Sequence, residues 1–166
     1  AAIKSAGIPV WVSEHKAGNY FWLPSYQPVA PNDMAYAIET WGLIRDAITQ
    51  VGVTAYNAWH MILDPVGKNI DRSSEWAQDS LLVANGGQLV ATPAYYVFRH
   101  LSRYVEPGAK VIGTTGGDAV AFKNPDGSLV AILYNSGAAQ TMTVSMGGQK
   151  LQFAAPSNSF VTLVGP

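Results

Sequence analysis

"YYVFRHLSRYVEPGAKVIG", Tyr95 to Gly113, joins two different kinds of sequence. Its first part carries Tyr95, Tyr96, Phe98 and Leu101 on a helical pattern, and Thr92-Pro93 precedes it as a cap followed by a proline suited to the first helical turn. Pro107-Gly108 then ends the helix, and "KVIG" begins a β-branched run. The change of pattern falls between Ser102 and Lys110. It divides the chain into residues 1–104 and residues 105–166.

Upstream, strands alternate with helices. Pro9 to Ser13 reads as a short buried strand that runs into Glu14. A long loop follows from His15 to Pro31. "PNDMAYAIETWGLIRDAITQVG" then has apolar residues at helical spacing (Met34, Ala37, Ile38, Trp41, Ile44, Ile48). Asn32 or Asp33 is its cap, and Gly52 its stop. "VTAYNAW", Val53 to Trp59, is a second strand. Another long loop follows from His60 to Ser80, then a hairpin turning at Asn85-Gly86-Gly87, then the helix after Thr92. Strands that alternate with helices imply parallel pairing. Both long loops follow strands and precede helices, on the face where α/β barrels build active sites. Two parallel strands alone make no stable open sheet. Partner strands are therefore expected from elsewhere, or the chain is a piece of a larger protein.

Downstream, short strands succeed one another: "KVIGTT", "AVAFK", "SLVAILYN", "TMTVSM", "KLQFAA" and "FVTLV". Gly116-Gly117, Pro125-Asp126-Gly127, Ser136-Gly137, Gly147-Gly148 and Pro156-Ser157-Asn158 punctuate them. Met142, Val144 and Met146 alternate with Thr141, Thr143 and Ser145, as in a strand with one wet face. The expectation is a small antiparallel β-sandwich. The overall class is α/β plus all-β.

At 48% hydrophobic and 13% charged residues, the 166-residue chain can bury a core. A net charge of −1 gives no long-range attraction for nucleic acid or anionic lipid, so neither is expected as a partner. No apolar run approaches the roughly 18 residues of a membrane-spanning helix. "AAIKSAGIPVW" lacks the apolar core of a signal peptide. The absence of cysteine excludes disulfides and thiolate metal sites. Asp64, Asp71 and Asp79 are too widely spaced to argue for a metal, and no cofactor is expected.

Glu14 and Trp59 end the two strands, which places them on one face. A carboxylate beside an indole plate suits a glycosidase: the carboxylate attacks the anomeric carbon, and the indole stacks on the sugar's C–H face. The plainer reading is a solvated strand-end glutamate and a core tryptophan.

"PVWVSEH", "AYNAWHMILD", "PAYYVFRHLSRYVEPGAKVIG" and "DAVAFKNPDGSLVAILYN" together resemble the C-terminal part of glycoside hydrolase family 30, which includes glucosylceramidases, β-glucosidases, endo-β-1,6-glucanases and xylanases. The resemblance covers nearly the whole chain. It implies a TIM barrel fused to a side β-sandwich, with Pro9–Glu14 as barrel strand seven and Val53–Trp59 as strand eight. It further implies a retaining two-carboxylate mechanism on β-linked carbohydrate, with Glu14 as nucleophile and Trp59 in the pocket for the reacting sugar. The family's acid/base follows strand four, which these residues do not include. Glu39, in a helix, Glu75, in a long loop, and Glu106, at the junction, do not replace it. The missing N-terminal barrel portion is therefore an expected partner, and by resemblance the protein is secreted or extracellular.

His60 stands where many members have Asn, which leaves the sugar specificity open. Tyr20, Trp22 and Trp76 line subsites or pack their loops. His15 touches the Glu14 carboxylate or faces solvent. Asp64 is read as setting the Pro65 turn, and His100 as structural. The competing function is a non-catalytic carbohydrate-binding or structural module built on the β-domain. Glucoside against xyloside, and exo against endo action, are not decided by these residues.

Overall fold

The computed structural model describes residues 6–15, 33–68 and 78–166, with the backbone alone at His15. The chain divides into two compact units, Ala1–Phe98 and Arg99–Pro166.

In the first unit, β1 (Val10–His15) pairs in parallel with β2 (Val53–Ala58), and α1 (Met34–Asp46) lies between them in sequence. Of the two residues able to cap α1, Asp33 does so: its carboxylate accepts from the Ala35 N–H at 3.1 Å. The buried stripe is Tyr36, Ala37, Thr40, Trp41 and Ile44, at three- and four-residue spacing. The helix widens into a π-helical turn at Ala47–Val51, where the Thr49 hydroxyl donates to the Arg45 carbonyl at 2.8 Å. Gly52, at φ 81°, ends it.

The stretch His60 to Ser80, expected as loop throughout, contains a two-residue strand. This β3 (Ile62–Leu63) pairs in parallel with β4 (Leu82–Asn85), which turns through Gly86-Gly87 into the antiparallel β5 (Gln88–Ala91). Thr92 then starts α2 (Pro93–Ser102). Its hydroxyl lies 3.0 Å from the carbonyls of Ser80 and Leu81 and accepts from the Tyr95 N–H at 3.3 Å. One cap thereby ties the helix start to the strand beside it. Tyr36, Leu81 and Ala94 form a buried cluster with Leu43, Ala58, Tyr95 and Phe98 against it. That cluster joins both helices to β2, so the end of β2 rests on packed side chains.

In the second unit, β6 (Lys110–Ile112), β7 (Asp118–Lys123), β8 (Leu129–Asn135) and β11 (Ser159–Gly165) form an antiparallel sheet in the order β11-β8-β7-β6. A hairpin of β9 (Gln140–Met146) and β10 (Gln149–Ala155) makes a second layer. Met142, Val144 and Met146 of β9 pack on Ala121, Ala131 and Leu133, as the alternation in "TMTVSM" predicts. On the other face of the sheet, Val120, Val130 and Ile132 are also fully buried. Burial on both faces accounts for the unbroken apolar run "LVAIL" in β8.

Two asparagines hold this unit's turns. Buried Asn135 donates to the Ala138 and Pro156 carbonyls at 3.0 and 2.7 Å, and its carbonyl accepts from Gly137 N and Gln140 Nε2 at 3.2 and 2.8 Å. It joins the end of β8 to both ends of the hairpin layer. Asn124 donates to the Tyr104 carbonyl at 2.9 Å and accepts from the Glu106 N–H at 3.1 Å, anchoring the segment that leads into β6. The turns fall at Pro125-Asp126-Gly127 and Gly147-Gly148, and no helix occurs between Lys110 and Pro166.

Candidate active site

Glu14 is the penultimate residue of β1, and Trp59 directly follows β2. The strands run parallel and His15 is the register partner of Ala58, so Glu14 and Trp59 lie at the same, C-terminal end of the pair. The ladder is irregular there. Between Val12 and His15 β1 uses one more residue than β2 does between Tyr56 and Ala58, so β1 bulges around Ser13 and Glu14. A bulge bends a strand and re-aims its side chains, and such features concentrate at rims and beside active sites. Glu14 is exposed, and Trp59 is 42% exposed. Neither is buried among the described residues, and the exposure of Glu14 is also what a solvated strand-end glutamate shows.

His60 is held against Trp59. The peptide bond between them is cis, and their rings lie 4.1 Å apart at 48°. His60 Nε2 is 3.1 Å from the side-chain oxygen of Gln78, which is itself buried. Gln78 is placed by a turn. The Asp64 carboxylate accepts from the N–H groups of Val66 and Lys68 at 3.0 and 2.7 Å, so Asp64 builds the turn as expected. The turn delivers the Gly67 carbonyl to the Gln78 N–H at 2.7 Å. Gly67 has φ 76°, and a Cβ there would stand 2.3 Å from the Gln78 carbonyl oxygen. Only glycine permits this approach.

Asp79 is buried, and the Tyr36 hydroxyl is held far above the ordinary tyrosine range, first by burial and then by the Asp79 carboxylate. Among the described residues no three His, Cys, Asp or Glu side chains group as metal ligands would. Tyr20, Trp22 and Trp76 lie outside the described residues, as does the side chain of His15. Glu39 is on α1 and Glu106 follows α2; Glu75 lies outside the described residues. His100 is structural in its contacts: Nδ1 lies 2.6 Å from the Thr162 hydroxyl of β11, and the ring lies near Phe160.

Gln78 is the residue that sequence reasoning missed. It lies 18 positions from His60, and no local pattern links them. The nearest signal is Gly67, whose need for positive φ marks a tight approach without naming its partner.

The fold defines a β-sandwich unit that follows, in sequence, a mixed unit with two parallel strand pairs among the described residues. Residues 108–163 match the model of the glycosyl hydrolase family 30 beta sandwich domain. The chain is 26% identical over 217 residues to endo-1,6-beta-D-glucanase neg1 of Aspergillus fumigatus, covering 99% of this chain and 44% of that protein. In structure it is similar to SrfJ from Salmonella typhimurium (TM-score 0.74, 21% identity, 95% of this chain and 35% of that one). It is also similar to the catalytic domain of GH30 xylanase C from Talaromyces cellulolyticus (TM-score 0.66, 21% identity, 95% and 40%). A third similar structure is the endo-beta1,6-glucanase BT3312 (TM-score 0.68, 23% identity, 93% and 35%). Residues 108–163 thus carry the match to that family's β-sandwich domain, and the chain as a whole is similar to these relatives while spanning less than half of their length.

Proposed function

We propose that this chain is the C-terminal part of a retaining β-glycosidase that acts on β-linked glucosides or related polysaccharides. Residues 1–104 supply the last two βα units of a TIM barrel, and residues 105–166 its β-sandwich. The observation that carries this reading is the placement of Glu14 and Trp59 at one end of a parallel strand pair. The similarity to an endo-1,6-beta-D-glucanase supports the substrate class.

Glu14 is the nucleophile. Its carboxylate attacks the anomeric carbon, the bond to the leaving oxygen breaks, and a glycosyl ester forms on Glu14. Trp59 stacks on the sugar in that pocket, and His60 bonds a hydroxyl. Tyr20, Trp22 and Trp76 line the subsites. A second carboxylate protonates the leaving oxygen and then activates water, standing roughly 5 Å from the first. It comes from the N-terminal barrel portion, the partner that completes the site. The protein works outside the cell.

The test is Glu14→Gln in the longer protein, assayed on aryl β-glucosides and β-xylosides. Turnover falls by at least about a thousandfold, because a neutral amide cannot form the ester. Full activity of the variant contradicts the assignment. Sugar binding without turnover in the parent protein favours a binding module instead.

A further inference from the structure

We infer that Asn57 is a further sugar-contacting residue of this site, its amide binding a hydroxyl of the sugar held between Glu14 and Trp59. This rests on the reading of Glu14 and Trp59 as the groups that engage the reacting sugar.

Strand register places Asn57. Val12 of β1 is the partner of Tyr56, and His15 is the partner of Ala58, so Ser13 and Glu14 both stand opposite the single residue Asn57. Parallel partners share a face of the sheet, and successive residues of a strand alternate between faces. Tyr56 and Ala58 take the face that meets the helices. The Tyr56 ring lies 5.9 Å from that of Phe98 on α2, and Ala58 packs against the cluster of Tyr36, Leu81 and Ala94. Asn57, between them, therefore takes the other face. So do Ser13, which follows the partner of Tyr56, and Glu14, which precedes the partner of Ala58. The bulge thus turns two consecutive residues of β1 to the side that Asn57 occupies. All three are exposed there.

Asparagine is depleted in strands, and at this exposed position no core packing calls for it. Its amide carries an acceptor and two donors on one planar group, so it satisfies a hydroxyl in both of that hydroxyl's roles. Neighbouring strands lie about 4.8 Å apart. The hydroxyl that Asn57 reaches therefore belongs to the sugar unit whose anomeric carbon Glu14 attacks. Trp59, two residues further on, supplies the apolar plate. A few convergent polar groups beside an aromatic surface are what fix a ligand's orientation.

The test has two arms, both in the longer protein. The first uses Asn57→Ala and Asn57→Thr, the latter well suited to a strand. Each lowers kcat/KM about tenfold on the aryl β-glucoside or β-xyloside that the protein cleaves, the loss of one hydrogen bond to the substrate. The same glycoside is then deoxygenated at one ring position at a time. The variants fall short of the wild type at every position but one, where the difference disappears. A merely structural role lowers all these substrates by one factor, and that result overturns the inference, as does an unchanged kcat/KM in folded variants. In the second arm, Glu14→Cys with Asn57→Cys closes a disulfide under mild oxidation, because facing residues of paired strands fall within the roughly 4.4–6.8 Å Cα separation of such bonds. Glu14→Cys with Ala58→Cys, on the opposite face, does not. Peptide mapping by mass spectrometry reads the link, and its absence from the first pair overturns the shared face. A longer protein that cleaves neither glycoside overturns the functional reading instead, and the cross-link then decides the placement of Asn57 by itself.

Discussion

His15 of β1 and Ala58 of β2 are partners in a parallel ladder, and the residues on either side of that rung are Glu14 and Trp59. A carboxylate and an indole far apart in sequence are thereby brought to one end of one strand pair. The ladder is irregular just before that rung, at Ser13 and Glu14, as it is also between Val10 and Trp11. The predictions below follow from this arrangement and from the packing that supports it.

Gly67→Ala loosens the site from behind. A Cβ at Gly67 meets the Gln78 carbonyl oxygen at 2.3 Å on a backbone with φ 76°. The turn has to move, at a cost of about 1–3 kcal/mol. Chemical unfolding of the chain reports the loss, and the His60 ring resonances shift with it. A variant of wild-type stability contradicts the close approach.

Asn135→Ala weakens the β-sandwich. The substitution removes a side chain that bonds the Ala138 and Pro156 carbonyls and the Gly137 N–H, and it leaves these groups near the end of β8 without that partner. The expected destabilisation is about 2–4 kcal/mol, since more than one hydrogen bond is lost from a buried position. Urea unfolding followed by intrinsic fluorescence measures it.

His100 makes stability depend on pH. Burial lowers its pKa below the ordinary 6.5, so in the folded chain it resists protonation. Once the pH falls below that ordinary value, the unfolded chain binds the proton more readily than the folded one does, and stability declines. The thermal midpoint therefore falls on acidification from pH 6.5 downward, until the folded histidine is itself protonated. His100→Gln flattens this part of the profile. A wild-type midpoint that rises over the same interval contradicts the assignment.

Much of this fold was legible because local chemistry carried it. Asp33 before an apolar stripe, Thr92 before Pro93, and paired glycines between alternating runs each specify an end or a turn without tertiary context. The six strands after Gly108 were readable for the same reason. The short strand Ile62–Leu63 was not, because two residues make no periodic pattern and their pairing with β4 is a tertiary event. The π-helical turn was likewise hidden within a continuous helical sequence. In the site, the shared end of the strands could be inferred from strand order, and Asp64 from its turn. Gln78 could not, since its partner is chosen by the way the turn at Gly67 folds back.

The chain without its longer context should not hydrolyse unactivated aryl β-glucosides or β-xylosides. A sugar alkoxide leaves poorly without a proton donor. Glu39 lies on α1, and Glu106 follows α2. Robust turnover by the 166-residue chain alone would mean that one of its own carboxylates acts as the acid.

The most direct measurement is covalent trapping. The longer protein is treated with a 2-deoxy-2-fluoro β-glycoside bearing an activated leaving group, which slows hydrolysis of the glycosyl ester, and is then digested and analysed by mass spectrometry. The modified peptide is the one containing "PVWVSEH", with the sugar on Glu14, and Glu14→Gln abolishes the label. A label on another carboxylate, or steady inactivation that survives Glu14→Gln, contradicts the account.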